Sequence, residues 1–235
     1  MIHRNNLLLN KLEPAVLAKI DPHLSVVSLR LSELLADTHD RLQNVYFPHS
    51  GVISNVVALS NGRAIETGMT GRDGQFGAAQ ALDDRLSLHR VVIQVPGTAS
   101  VMNSARLCEL ANKLPEFRKL LMKSEKFFLA QVQQAVACNA VHDIQSRMCK
   151  WLLRMHGLAG SHLPLTHEFL AEMMGVQRPS VTTVAVKLQK AGLIKYSRGH
   201  IHISDIEQVR QRACECDRAI RSYYRRIFQP DTRPV

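Results

Sequence analysis

Apolar positions along the chain change their spacing twice. Over residues 6–20, "NLLLNKLEPAVLAKI", leucines and alanines recur at helical intervals. This predicts a short N-terminal helix, with Pro14 tolerated at the first turn of its second half. Between about Ser25 and Met102 the texture differs. "SVVSLRL", "NVYF", "GVISNVVAL", "RAIETGMT" and "HRVVIQV" are short and rich in Val and Ile, and Pro48, Ser60-Asn61-Gly62, Gly71 and Pro96-Gly97 separate them. Seven of the twelve glycines lie between Gly51 and Gly97, which points to tight turns between short strands. No helix-length segment intervenes, so an antiparallel barrel or roll is expected rather than a parallel sheet.

After Ser104 the spacing becomes helical. "ARLCELANKL" precedes Pro115, and a stretch free of Gly and Pro then runs from Glu116 to His156, ended by Gly157 and Gly160. Forty residues is long for one globular helix, so a break is expected near Asn139–His142. Leu121, Phe128, Val132 and Ala135 form an apolar stripe, with Leu120, Phe127 and Val136 beside it. The stripe suits packing on the chain's own β-rich segment or pairing with a twin helix. Ser124, Gln131 and Cys138 interrupt the heptads, so periodicity leaves both open.

Pro164 opens a further compact unit. Thr166 is suited to cap a helix whose first turn holds Glu168. That helix runs through Phe169, Leu170, Ala171, Met173 and Met174 and stops at Gly175, the residue best suited to a left-handed C-cap. Arg178 and Pro179 start a second helix, with Val181, Val184, Leu188 and Ala191 on its apolar face. A small residue at 171, a turn glycine at 175 and apolar Val176, Val181 and Val184 are the spacing of a helix-turn-helix. The outer face then carries Gln177, Arg178, Ser180, Thr182, Thr183, Lys187 and Lys190, types that suit base edges and phosphates. "LIKYSRGHIHI" reads as two strands about a Ser197–Gly199 turn, a wing with Arg198 and His200 at its tip. Together with Thr166 and His167 at the first helix start, Gln177, Arg178, Ser180, Thr182, Thr183, Lys187 and Arg198 are the candidate DNA-binding residues.

Charge agrees with this. Among 235 residues, 30 Lys and Arg face 20 Asp and Glu, a formal net charge of +10 that favours polyanions. The tail from Glu207 holds seven arginines (Arg210, Arg212, Arg218, Arg221, Arg225, Arg226, Arg233) against four acids (Glu207, Glu215, Asp217, Asp231), and is expected to be helical to about Ile227 and frayed after Pro230. No run is long enough to span a bilayer and none resembles a signal peptide, so a cytoplasmic protein without a membrane partner is expected. Five cysteines (Cys108, Cys138, Cys149, Cys214, Cys216) with no CxxC pair read as reduced, buried thiols. Cys214 and Cys216 on one helix would point apart, and His200-x-His202 reads as wing packing, so no metal site is expected. No nucleophile–base spacing, ligand set or phosphate loop appears, which argues against an enzyme.

The segments "LTHEFLAEMMGVQRPSVTTVAVKLQKAGLI" and "DIQSRMCKWLL", with the β-rich region and long helix before them, resemble the Crp/Fnr superfamily of bacterial transcription regulators over about residues 15–205. The resemblance implies an α+β fold: an N-terminal antiparallel β-roll (jelly-roll-like) effector domain at 1–114, a dimerisation helix and hinge at 115–142, a winged helix-turn-helix at 143–206 and a basic extension at 207–235. In the second segment, Asp143 would cap the helix that follows the hinge. The resemblance further implies a homodimer on palindromic duplex DNA, contact with RNA polymerase, and a possible small-molecule effector. A different reading keeps the nucleotide-sensing module but gives its helical end protein contacts instead of DNA.

The departures from the family pattern are specific. Arg178 stands where members read a base pair with Arg-Glu, but Pro179 replaces the acid and Thr183 replaces a common second Arg, so the target sequence should differ. Arg178 and Ser180 would make base or near-base contacts; Thr182, Thr183 and Lys187 would meet phosphates. Cyclic-nucleotide binders have Gly-Glu-x-Gly followed later by Arg-Ser. Here Gly74, Gln75 and Gly77 stand for the first motif, and Arg90 and Val91 for the second. Val91 has no donor for phosphate, which argues against a cyclic nucleotide and leaves Arg90 to pair with Asp73, Asp83 or Asp84. The first cysteine is Cys108, so the N-terminal iron–sulfur mode of the family is not expected, and no haem ligand is singled out.

Overall fold

A computed structural model describes residues 2–229. They fall into two compact units, one of residues 2–58 with 67–128 and the other of residues 59–66 with 129–229. The expectations for Asp231, Arg233 and fraying beyond Pro230 lie outside the described residues.

In the first unit the N-terminus is not the continuous helix its spacing suggests. Two short 3-10 turns, Ile2–Asn5 and Leu9–Lys11, precede helix α1, Pro14–Ile20. The cause is Asn6, which is fully buried. Its Oδ1 accepts from the Leu8 and Leu9 N–H groups, and its Nδ2 donates to the Pro48 and Gly74 carbonyls at 2.8 and 2.9 Å. A side chain that satisfies those N–H groups competes with the helical ladder. Pro14 sits in the first turn of α1, where its missing N–H costs nothing.

Seven strands follow: β1 (Ser25–Leu29), β2 (Leu34–Ala36), β3 (Asn44–Pro48), β4 (Val52–Ala58), β5 (Ala64–Thr70), and, after a short helix α2 (Ala78–Ala81), β6 (Arg90–Val95) and β7 (Gly97–Asn103). They form two sheets ordered β1-β7-β3 and β2-β6-β4-β5, the antiparallel roll expected. Leu29, Ala36, Leu42, Ile53, Phe76, Val91, Ile93 and Ala99 form a packed core. Gly97 is required at the start of β7, since a Cβ there would stand 2.4 Å from the Ser50 carbonyl oxygen. Helix α3 (Ser104–Lys113) starts at Asn103, whose side chain accepts from Ala105 and Arg106 N–H.

Helix α4 spans Pro115–Val141, and α5 spans Ile144–Ala159. The separation falls at His142–Asp143, beside the expected break. Asp143 caps α5, accepting from Gln145 and Ser146 N–H. Along the expected stripe of α4, Phe128, Val132 and Ala135 are half-buried, and only its neighbour Val136 departs. Leu120, Leu121 and Phe127 are buried, whereas Met122, Leu129 and Val136 are 56, 55 and 67% exposed.

The second unit adds β8 (His162–Leu163), α6 (His167–Met174), α7 (Arg178–Lys190), β9 (Ile194–Ser197), β10 (His200–Ile203), α8 (Ile206–Arg212) and α9 (Cys216–Phe228). β8 pairs with β10, a third wing strand too short to show in the sequence. The core joins Met148, Leu152 and Met155 of α5 to Leu170 of α6, Val181 and Leu188 of α7 and Ile201 of the wing, all fully buried. At about 1.5–3 kcal/mol for each large apolar side chain removed from water, this core fixes the angle between α6 and α7. The tail is not one helix: Ala213–Glu215 separates α8 from α9, because Ala213 turns extended (φ −74°, ψ 149°).

Candidate nucleic-acid interface

Local chemistry sets the two helices of the turn. Thr166 Oγ1 accepts from Phe169 N–H at 3.1 Å and starts α6. Gly175 adopts φ 65°, ψ 32°, its N–H reaching the Ala171 and Glu172 carbonyls, and Val176 N–H also bonds the Ala171 carbonyl. That is the left-handed cap that only glycine takes without strain. Pro179 lies in the first turn of α7.

With Val181, Val184, Ala185 and Leu188 buried, α7 turns Gln177, Arg178, Thr183, Lys187 and Lys190 to solvent, while Ser180 and Thr182 are half-buried. Arg178 Nε lies 3.4 Å from Glu168 Oε2, and both side chains are well exposed. The outer face also carries Val186, 44% exposed. Sequence reading passed over it, although its place one residue before Lys187 and three after Thr183 was a signal. A solvent-facing valine can meet a thymine methyl.

Two candidates have internal partners. His167 stacks on Tyr196, ring centroids 3.9 Å apart, and its Nδ1 is 3.2 Å from Thr182 Oγ1. Burial, and then the Arg178 charge, hold the His167 imidazole below its ordinary pKa. His167 and Thr182 thus brace α6, α7 and the wing against one another. Thr183 Oγ1 donates to the Pro179 carbonyl at 2.9 Å, and its single hydrogen, so used, is not free for a phosphate. At the wing, Arg198 (φ 47°) and Gly199 (φ 78°) make the tight turn, and the Arg198 side chain is exposed. His202 packs against His162, centroids 4.3 Å apart.

In the β-roll the residues matching the cyclic-nucleotide motif are committed elsewhere. Gln75 Oε1 accepts from Ala78 N–H at 2.9 Å, and Gln75 Nε2 donates to Glu125 Oε1 at 2.5 Å. Desolvation raises the Glu125 carboxyl above its ordinary pKa against the pull of that donor. Gly77 is left-handed at φ 102°, and a Cβ on Gly74 would press within 3.2 Å of Thr70 Cγ2. Arg90 pairs with Asp37, Nη2 to Oδ2 at 2.7 Å, and not with the three aspartates expected from the sequence, because β2 leads into residue 37 beside β6. Val91 is fully buried.

The cysteines depart most from their sequence reading. Cys214 lies within the Ala213–Glu215 break and Cys216 starts α9, so they do not share a helix, and with Cys138 and His142 they bring their ligand atoms within 4.8 Å of one another.

Residues 146–212 match the family model of the Crp-like helix-turn-helix domain. No curated protein sequence matches the chain. Among solved structures, FixK2 of Bradyrhizobium japonicum superposes with a TM-score of 0.68 at 14% identity, over 81% of this chain and 98% of that one. The c-di-GMP-responsive global regulator CLP of Xanthomonas campestris gives 0.66 at 15%, over 81% and 99%. A Crp/Fnr-family transcriptional regulator of Thermus thermophilus gives 0.66 at 20%, over 80% and 98%. The chain therefore shares the fold of these solved regulators and matches the Crp-like helix-turn-helix domain over residues 146–212.

Proposed function

We propose that the protein binds a palindromic duplex as a homodimer and regulates transcription in the cytoplasm through RNA polymerase. The observation that carries this is the exposed start of α7: Gln177 and Arg178 lead it, with Lys187 and Lys190 further along and Arg198 exposed on the wing. Helix N-termini and cationic side chains attract phosphate, while a guanidinium fits the guanine edge in the major groove. In this reading Arg178, Gln177 and Ser180 face bases, Val186 supplies an apolar contact, and Lys187, Lys190 and Arg198 neutralise phosphates. His167 and Thr182 position these groups, and Thr166 holds the α6 start.

The dimer rests on α4. Met122, Leu129 and Val136 are spaced by seven residues, so they line one side of the helix, and each is more than half exposed. A second copy that covers this stripe would present two copies of α7, spaced about 34 Å apart on successive major grooves. The effector, if the roll takes one, is not assigned to a cyclic nucleotide, since Gln75 and Arg90 already have partners and Val91 is in the core.

Selection of binding sites from random duplex DNA tests this reading. An enriched inverted repeat with half-sites one helical turn apart is expected. Failure to enrich any duplex sequence would overturn it.

A further inference from the structure

His142 follows the last residue of α4, and its N–H still donates to the Cys138 carbonyl at 3.1 Å, so helical geometry carries through it. Residues four apart on a helix share a face, and Cys138 and His142 are such a pair. The break between α8 and α9 brings Cys214 and Cys216 to that face. Cys138 Sγ and Cys214 Sγ are 3.6 Å apart, and Cys216 Sγ and His142 Nδ1 are also 3.6 Å apart. All three thiols are buried, and none is in a disulfide.

We propose that Cys138, His142, Cys214 and Cys216 bind one zinc ion, a site that pins the start of α9 to the end of α4. Zinc–sulfur and zinc–nitrogen bonds of about 2.3 and 2.1 Å in a tetrahedron put neighbouring ligand atoms roughly 3.5–3.8 Å apart. The observed 3.6 Å separations match this. A polynuclear iron–sulfur cluster spreads its cysteines around several metal centres and needs wider spacing than a set held within 4.8 Å.

The surroundings belong to a ligand set rather than to a chance group of apolar thiols. His142 Nε2, the ring nitrogen left over, lies 3.1 Å from Glu215 Oε2. A carboxylate on that nitrogen fixes the ring and leaves Nδ1 free to ligate. Gln134 Nε2 donates to Cys216 Sγ at 3.1 Å, a hydrogen bond that suits a metal-bound thiolate. Tyr223 Oη in turn donates to Gln134 Oε1 at 3.0 Å, so α9 supports the outer shell as well as the inner one. On binding, each thiol gives up its proton to solvent and no electron is transferred. The site uses no residue of α7 or of the roll, so it stands or falls independently of the DNA reading.

The test is metal content and Co²⁺ titration of the full-length reduced protein. One zinc per chain is expected, with tetrahedral ligand-field bands and sulfur-to-cobalt charge transfer when Co²⁺ is added. Cys216→Ser should weaken Co²⁺ binding at least about tenfold, and Glu215→Gln, which touches no metal, about tenfold. Cys108→Ser should bind as the unaltered chain does. The Co²⁺ titration of the unaltered protein needs no variant to fold. An octahedral spectrum, no stoichiometric binding, or iron recovered with acid-labile sulfide would each overturn the proposal.

Discussion

Arg178 Nε stands 3.4 Å from Glu168 Oε2, so the residue proposed to enter a DNA groove is held by a carboxylate from the helix before it. Both side chains are about two-thirds exposed, and an exposed ion pair contributes roughly 0–1 kcal/mol. A duplex can take Arg178 from Glu168 at small cost, but the carboxylate stays near the phosphates and repels them. Glu168→Gln is expected to tighten binding to any duplex a few-fold in fluorescence anisotropy titrations. A loss of affinity confined to the selected site would show that Glu168 orients Arg178 for base reading.

Arg178 and Lys187 separate reading from attraction. Arg178→Ala should cost about 1–3 kcal/mol on the selected site and less on unrelated DNA, because a bidentate base contact is lost. Lys187→Ala should weaken both alike and lower the slope of log affinity against log salt by about one. Equal losses on both duplexes for Arg178→Ala would make it a phosphate contact.

The exposed stripe of α4 predicts an oligomeric change. Leu129→Glu puts a charge at the middle of the Met122, Leu129 and Val136 row, where a pairing helix would bury it. Sedimentation equilibrium is expected to show a dimer for the unaltered protein and a monomer for the variant. Monomeric behaviour of both would remove the dimer from the account.

Glu125 predicts a pH dependence. Burial raises its folded pKa above the ordinary 4.5, so between those two values the folded state holds more protons than the unfolded chain. Stability from this group is therefore present below pH 4.5 and is lost as pH rises through the folded value. Glu125→Gln should flatten that part of the thermal-stability profile above pH 4.5. An unchanged profile would show that the Gln75 hydrogen bond cancels the desolvation and leaves Glu125 with no net shift.

Much of the architecture was legible because it depends on local patterns. Short Val- and Ile-rich runs between turn residues gave the roll, and Thr166, Gly175 and Pro179 gave the ends of α6 and α7. What was hidden depends on distant partners. The identity of the exposed stripe on α4 could not be read from spacing, since Leu121 and Met122 are equally apolar and only packing decides which turns inward. The contact between Thr182 and His167 across the turn joins residues fifteen apart, and spacing along one helix does not show it. The cysteine group was half legible: Cys138-x3-His142 is a helical ligand spacing, but its completion needs the chain to leave helix at Ala213. No glycine or proline marks that departure.

The central claim is that the polar face of α7 binds duplex DNA, and the most direct measurement is the affinity of the purified protein for a labelled duplex across a series of salt concentrations. The account predicts tight binding that weakens linearly in log affinity against log salt, as released counterions require, with the selected inverted repeat bound more tightly than unrelated DNA at every salt concentration. Binding indifferent to salt, or none to any duplex, would contradict it.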